Sequence, residues 1–171
     1  MAVIFYIAAA VAIAATILTI TRVNPVHALL YLIVSLLAVA VVFFVLGAPF
    51  IAALEVIIYA GAVMVLFVFV VMMFNLGSST IALERAWLTP GTWAGPAVLA
   101  AILLAEVIVV LAHGGTARTA GTAVSPHQVA TALYQPYLLG VELASFLLMA
   151  GLIGAYHLGA RREPRQSRRA T

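Results

Sequence analysis

The chain has 171 residues, 66% of them hydrophobic and 8% charged, and its mean hydropathy is +1.24. Apolar runs this long exclude a soluble globular domain and predict an all-α, polytopic membrane protein. The net charge of +3 does not argue for nucleic acid, because five of the eight arginines crowd into Arg161 to Arg169, directly after an apolar run, where membrane proteins place cytoplasmic charge.

Five spans are predicted. The first covers about Ala2 to Ile20 and closes at Thr21-Arg22-Val23. MAVIFY at the N-terminus has no positive region, so this run reads as a retained span and not a cleaved signal. Asn24 is a good helix N-cap and Pro25 suits a first helical position, so a second span opens there and runs to about Leu46. Gly47-Ala48-Pro49 is a tight turn. The third span, Pro49 to Phe74, is long enough to cross a hydrocarbon core of about 30 Å. A polar connection from Ser78 to Pro90 follows. The fourth span is predicted over about Trp93 to Leu111, kinked or delayed by Pro96. Ser125-Pro126-His127-Gln128 reads as an N-cap, a first-position proline and a capping-box glutamine, which predicts a short surface helix from about Pro126 to Tyr134. The fifth span covers about Pro136 to Leu158. Residues 1–160 are thus expected to form one five-helix membrane domain, and 161–171 an arginine-rich, weakly ordered tail.

Orientation follows from arginine. The side of the tail holds Arg22, Arg85, Arg161, Arg162, Arg165, Arg168 and Arg169, and the opposite side only Arg118. The positive-inside rule then puts the C-terminus in the cytoplasm and the N-terminus outside.

The third span contains the polar pair that draws attention. Glu55 and Tyr59 are four apart, so on an α-helix they share a face. Tyr59 lies about 15 Å along from Pro49, near the bilayer midplane. Ala60, Gly61 and Ala62 follow it, three small residues that admit a neighbouring backbone. Gly61 gives up about 1 kcal/mol of helix propensity against alanine. An intramembrane acid is costly and usually faces a protein interior or a water cavity, whereas a tyrosine can simply bond to a neighbouring helix. Glu106 and Glu142 are the other two intramembrane acids. All three fall in the outer half of the bilayer, either as proton-exchanging groups or as neutral or hydrogen-bonded contacts between subunits, the second reading being preferred for Glu106.

Other chemistry finds little support. Cysteine is absent, so there is no disulfide, thiolate metal site or iron–sulfur ligation, and aspartate and lysine are absent too. His27 and His157 stand at helix ends, where an interfacial imidazole needs no haem. His113 and His127 are too far apart for a metal motif. There is no phosphate loop, no nucleotide fingerprint and no Ser-His-Asp pattern.

Three stretches, NPVHALLYLIVSLLAVAVVFF (24–44), ALEVIIYAGAVMVLFVFVVMMFNLG (53–77) and PYLLGVELASFLLMAGLIGAYHLG (136–159), together resemble the J-type membrane subunit of bacterial NADH–quinone oxidoreductase, respiratory complex I. The counterpart is mitochondrial subunit 6. The ERAWLTPGTWAGPA connection (84–97) is also similar to proteobacterial members. The resemblance covers nearly the whole chain and is most specific in EVIIYAGAVMVLFVFVVMM. It implies a subunit that binds no redox group itself, while NADH, FMN, iron–sulfur clusters and quinone are handled elsewhere in the complex. It implies partners among the A-, H-, K- and N-type membrane subunits, in a bacterial inner membrane. It further implies that the third helix carries a π-bulge near Tyr-Ala-Gly, switches between bulged and regular forms, and so gates a water path for protons. The matching positions run from Tyr59 to Val65. The proton path or gate is therefore expected to include Glu55, Tyr59, Gly61, Met64, Val65 and Glu142, whereas Glu106 lies outside the motif. A free-standing secondary transporter is disfavoured because no internal repeat is visible. A purely structural membrane subunit stays open.

Overall fold

A computed structural model describes residues 2–74, 90–112 and 123–159 of the chain. The elements are α1 (Ala2–Thr21), α2 (Pro25–Val45), α3 (Pro49–Leu54), a π-helical segment (Glu55–Val63), α4 (Met64–Phe74), α5 (Pro90–Ala112), α6 (Pro126–Tyr134) and α7 (Leu138–Gly159). Five stretches are long and apolar enough to cross a membrane: α1, α2, the continuous third span Pro49–Met73, α5 and α7. The chain is a multi-pass, all-helical membrane protein. It divides into two compact units, Met1–Ser125 and Pro126–Thr171.

In the first unit α2 is the hub, packing against α1, against α5 and against all three pieces of the third span. Its start is fixed locally. The Asn24 side chain accepts a hydrogen bond from the Val26 amide at 2.9 Å, and Pro25 follows in the first turn. The chain then reverses at Gly47, whose φ of 85° is cheap only without a Cβ. The Gly47 carbonyl accepts from the Val124 amide at 2.9 Å.

The core lies where α1, α2 and α5 meet. Val11, Ala15, Val34, Ala38 and Leu103 form one buried cluster, flanked by Ala12, Leu37 and Leu99. The alanines let the helix axes approach. One polar link crosses this contact. The Thr16 hydroxyl donates to the Ala12 carbonyl at 2.8 Å, and the Ser35 Oγ lies 2.8 Å from Thr16 Oγ1 and 3.2 Å from that same carbonyl. At the other end of α2, the Arg22 guanidinium lies 5.3 Å from the Tyr31 ring centroid.

The fourth span, Trp93–Ala112, lies where it is expected. Its helix begins earlier, at Pro90, and Pro96 lies inside it, so that proline does not delay the helix. Pro90 supplies a preset first-turn φ, and Pro96 removes one backbone hydrogen bond without ending the helix. Gly95 makes room for the buried Tyr31, whose hydroxyl oxygen occupies the place a Cβ at position 95 would take.

In the second unit, α6 keeps the expected bounds and a turn at residues 135–137 leads into α7. No residue of α6 or α7 is buried. The polar connection after the third span, the loop carrying Arg118 and the arginine tail lie outside the described residues.

Candidate functional site

The third span is not one α-helix. Its regular α geometry holds from Pro49 to Leu54, gives way to a π-helix over EVIIYAGAV, and resumes at Met64. In a π-helix each amide bonds to the fifth carbonyl back and not the fourth. The Met64 amide accordingly points to the Tyr59 carbonyl. The nine π residues start at Glu55 and contain Tyr59, Gly61 and the small neighbours of both.

The sequence accounts for the local weakness. Gly61 contributes no side chain and a low helix propensity, and a Cβ placed on it would lie 3.2 Å from the Val56 carbonyl oxygen. That carbonyl is five residues back, where a π turn directs its acceptor. A side chain at position 61 would press on the wider turn.

Five of the six candidate residues fall on this one stretch. Glu55 is half-buried and Tyr59 is 52% exposed. Neither side chain hydrogen-bonds to another described residue. A π turn carries slightly more than four residues, so Tyr59 lies nearly one turn from Glu55 and the two stay on one face of the segment. Gly61 is half-buried. Met64 is the most deeply buried large side chain described, at 1% exposure, while Val65 beside it is 67% exposed. No residue of the π segment itself is fully buried, so the middle of this span leaves the phenol exposed and the acid and the glycine partly so. Glu142 lies on α7, in the second unit, and is exposed.

An apolar cavity of about 630 Å³ separates the third span from α5 on the other side, with Phe44, Pro49, Ala52, Val56, Leu103 and Val107 among its lining residues. Among the described residues no three histidine or glutamate side chains gather as a metal-binding set.

Two features escape a reading of the sequence. Tyr31 and Gly95 are in contact although 64 positions apart. Glu106, expected to be a neutral or hydrogen-bonded contact between subunits, is turned into its own chain: it is 7% exposed and neither carboxyl oxygen has a hydrogen-bond partner among the described residues.

Residues 15–158 match the family described as NADH-ubiquinone/plastoquinone oxidoreductase chain 6. This chain belongs to that family. Similar relatives are NADH-quinone oxidoreductase subunit J of Pseudomonas aeruginosa, 61% identical over 91% of this chain and 94% of the relative, and that of Escherichia coli K12, 56% identical over 91% and 84%. A subunit J from Buchnera aphidicola is 42% identical over 91% of this chain and 96% of its own length. The family membership agrees with the J-type resemblance read from the three apolar stretches, and the family match spans all five membrane-crossing helices in whole or part.

Proposed function

We propose that this chain is a membrane subunit of a proton-translocating NADH:quinone oxidoreductase, in which the third span couples quinone reduction to proton pumping by gating a water path. The observation that carries the proposal is the π segment from Glu55 to Val63, at the centre of a span and on an open face. A π segment stores one residue of slack, so straightening it turns one end of the helix by about 100° against the other while lengthening the span by only about 1.5 Å. In the bulged form Met64 is packed against the bundle as an apolar plug. Straightening the segment would swing Met64 out and bring Val63 to that bearing, which is the kind of discrete two-form element that a gate requires. Glu55 is the group on this stretch that can hold and pass a proton. Tyr59, a turn deeper, can carry a hydrogen-bonded water from it.

The relatives' names support membership of a large assembly, and so does the uncovered surface of the π segment. The A-, H-, K- and N-type membrane subunits are the partners that would cover it. NADH, FMN, iron–sulfur clusters and quinone belong to other subunits or to sites they form, and the chain has no activity by itself. The chain resides in a bacterial inner membrane with its N-terminus outside and its C-terminus in the cytoplasm.

The test is substitution of Gly61 by valine or leucine in the assembled complex. NADH oxidation by an artificial acceptor should persist, because it needs no membrane helix, while quinone-linked activity and proton pumping fall together. Variants that assemble and pump like the parent would return the segment to a purely structural role.

A further inference from the structure

Glu106 has a setting unlike that of any other acid described. It stands six residues before the end of α5 at Ala112, about 9 Å along the helix. Leu99, Leu103 and Val110 lie seven and three residues before it and four after, so they share its face. Leu103 and Val110 are both buried, and Leu103 belongs to the core formed with α1 and α2. Glu106 therefore continues the inward stripe of its helix. Leu99 and Ile102, on the turns before it, line a shallow groove against α1 together with Tyr6, Ile7 and Val11.

Nothing described compensates a charge there. The elements packed most closely on α5 are α1 and α2, and the third span faces it across the apolar cavity. Their titratable groups are Tyr6 on α1, His27 and Tyr31 on α2, and Glu55 and Tyr59, neither of them a cation, on the third span. Tyr31 meets α5 at Gly95, whereas Val110 and Leu111 share a cavity with Phe44 and Pro49. His27 and Tyr31 are thus at the opposite end of α2 from Glu106, and so is Arg22, which lies over the Tyr31 ring. No cation among the described residues faces the carboxyl. An ionised carboxylate, buried with both oxygens unpaired, is far costlier than one that carries its proton.

We infer that Glu106 is a proton-binding site in the interior of the first four spans, whose carboxyl holds a proton and exchanges it with water at the nearby end of α5. The site is independent of the π segment and stands whether or not that segment switches. Its ligand is the proton alone, taken up by one carboxyl oxygen and returned to water as hydronium.

Infrared difference spectra of the parent and of Glu106→Gln, each in its native membrane assembly at neutral pH, test this directly. The parent should show a carboxylic-acid carbonyl stretch that is missing in the variant and that shifts when D₂O replaces water. Spectra that coincide in this region mean that Glu106 is ionised, and they overturn the inference. A band insensitive to D₂O overturns the exchange. Should the variant not assemble, the parent alone decides, through dicyclohexylcarbodiimide. An acid transfers its proton to one nitrogen of this reagent while a carboxyl oxygen bonds to the central carbon. Acyl shift from oxygen to nitrogen then leaves a stable N-acylurea, with no leaving group. Mass spectrometry of the α5 peptide should find the adduct on Glu106 at neutral pH, and a peptide without it overturns the inference.

Discussion

Ala52 and Met64 are both buried on the third span, at 6% and 1% exposure, and α2 is the helix that packs on both halves of that span. They are twelve residues apart. On an unbroken α-helix that spacing turns Met64 about 120° away from Ala52. With one residue absorbed by the π segment the offset falls to about 20°, and both side chains face the bundle. The π segment thus sets which face of α4 is covered. It also explains why Val65, next to Met64, is exposed.

The contact of Gly95 with Tyr31 makes a stability prediction. Gly95→Ala places a methyl group where the Tyr31 hydroxyl stands. Overpacking of this kind costs about 1–3 kcal/mol. Thermal denaturation of the membrane-embedded protein should show the loss, and Tyr31→Phe in the same chain should restore most of it by removing the overlapping oxygen. A double variant no better than Gly95→Ala would mean that the contact is not the cause.

Ser35→Ala removes the hydroxyl shared with Thr16 and the Ala12 carbonyl. Hydrogen bonds between membrane helices average about 0.6 kcal/mol, so the expected change is small. It should be non-additive with Thr16→Val in a double-mutant cycle, because the two remove one link.

Asn24→Ala deletes the cap on α2, with an expected cost of about 1 kcal/mol. Asn24→Asp should retain stability, because the carboxylate oxygen can still accept from the Val26 amide. Comparative unfolding of the two variants distinguishes loss of the cap from general disturbance of the 22–25 turn.

The spans were legible because apolar length and local punctuation are written in sequence: Asn24-Pro25 opens α2, Gly47 with Pro49 closes the turn, and Pro126 to Tyr134 is helical as the capping pattern predicts. The weak centre of the third span was visible as Gly61 between two alanines, but its π register came through the family resemblance. Residue types fix how cheaply a helix deforms, whereas packing on α2 decides whether it does. The inward direction of Glu106 was not legible at all. Residues on every side of α5 are apolar, so periodicity does not mark the face that meets α1 and α2.

Topology is open to a chemical test at the tail. Cysteine introduced at Ser167 should react with an impermeant maleimide only from the cytoplasmic side, as the arginine distribution requires. Labelling from the outer side would invert the orientation of all five spans.

The most direct measurement of the gate is the deletion of Ala62. Removing one exposed small residue from the π segment leaves Met64 eleven residues after Ala52, aligned on an unbroken α-helix to within about 20°. The covered faces are preserved, and only the slack that permits two forms is lost. The complex should therefore assemble and oxidise NADH with an artificial acceptor at the parent rate, while quinone-linked activity and proton pumping, measured in proteoliposomes, fall together on the order of tenfold, equivalent to about 1.4 kcal/mol. Normal pumping by the deletion variant would contradict the account, because a helix with no spare residue would then be doing everything that the π segment is proposed to do.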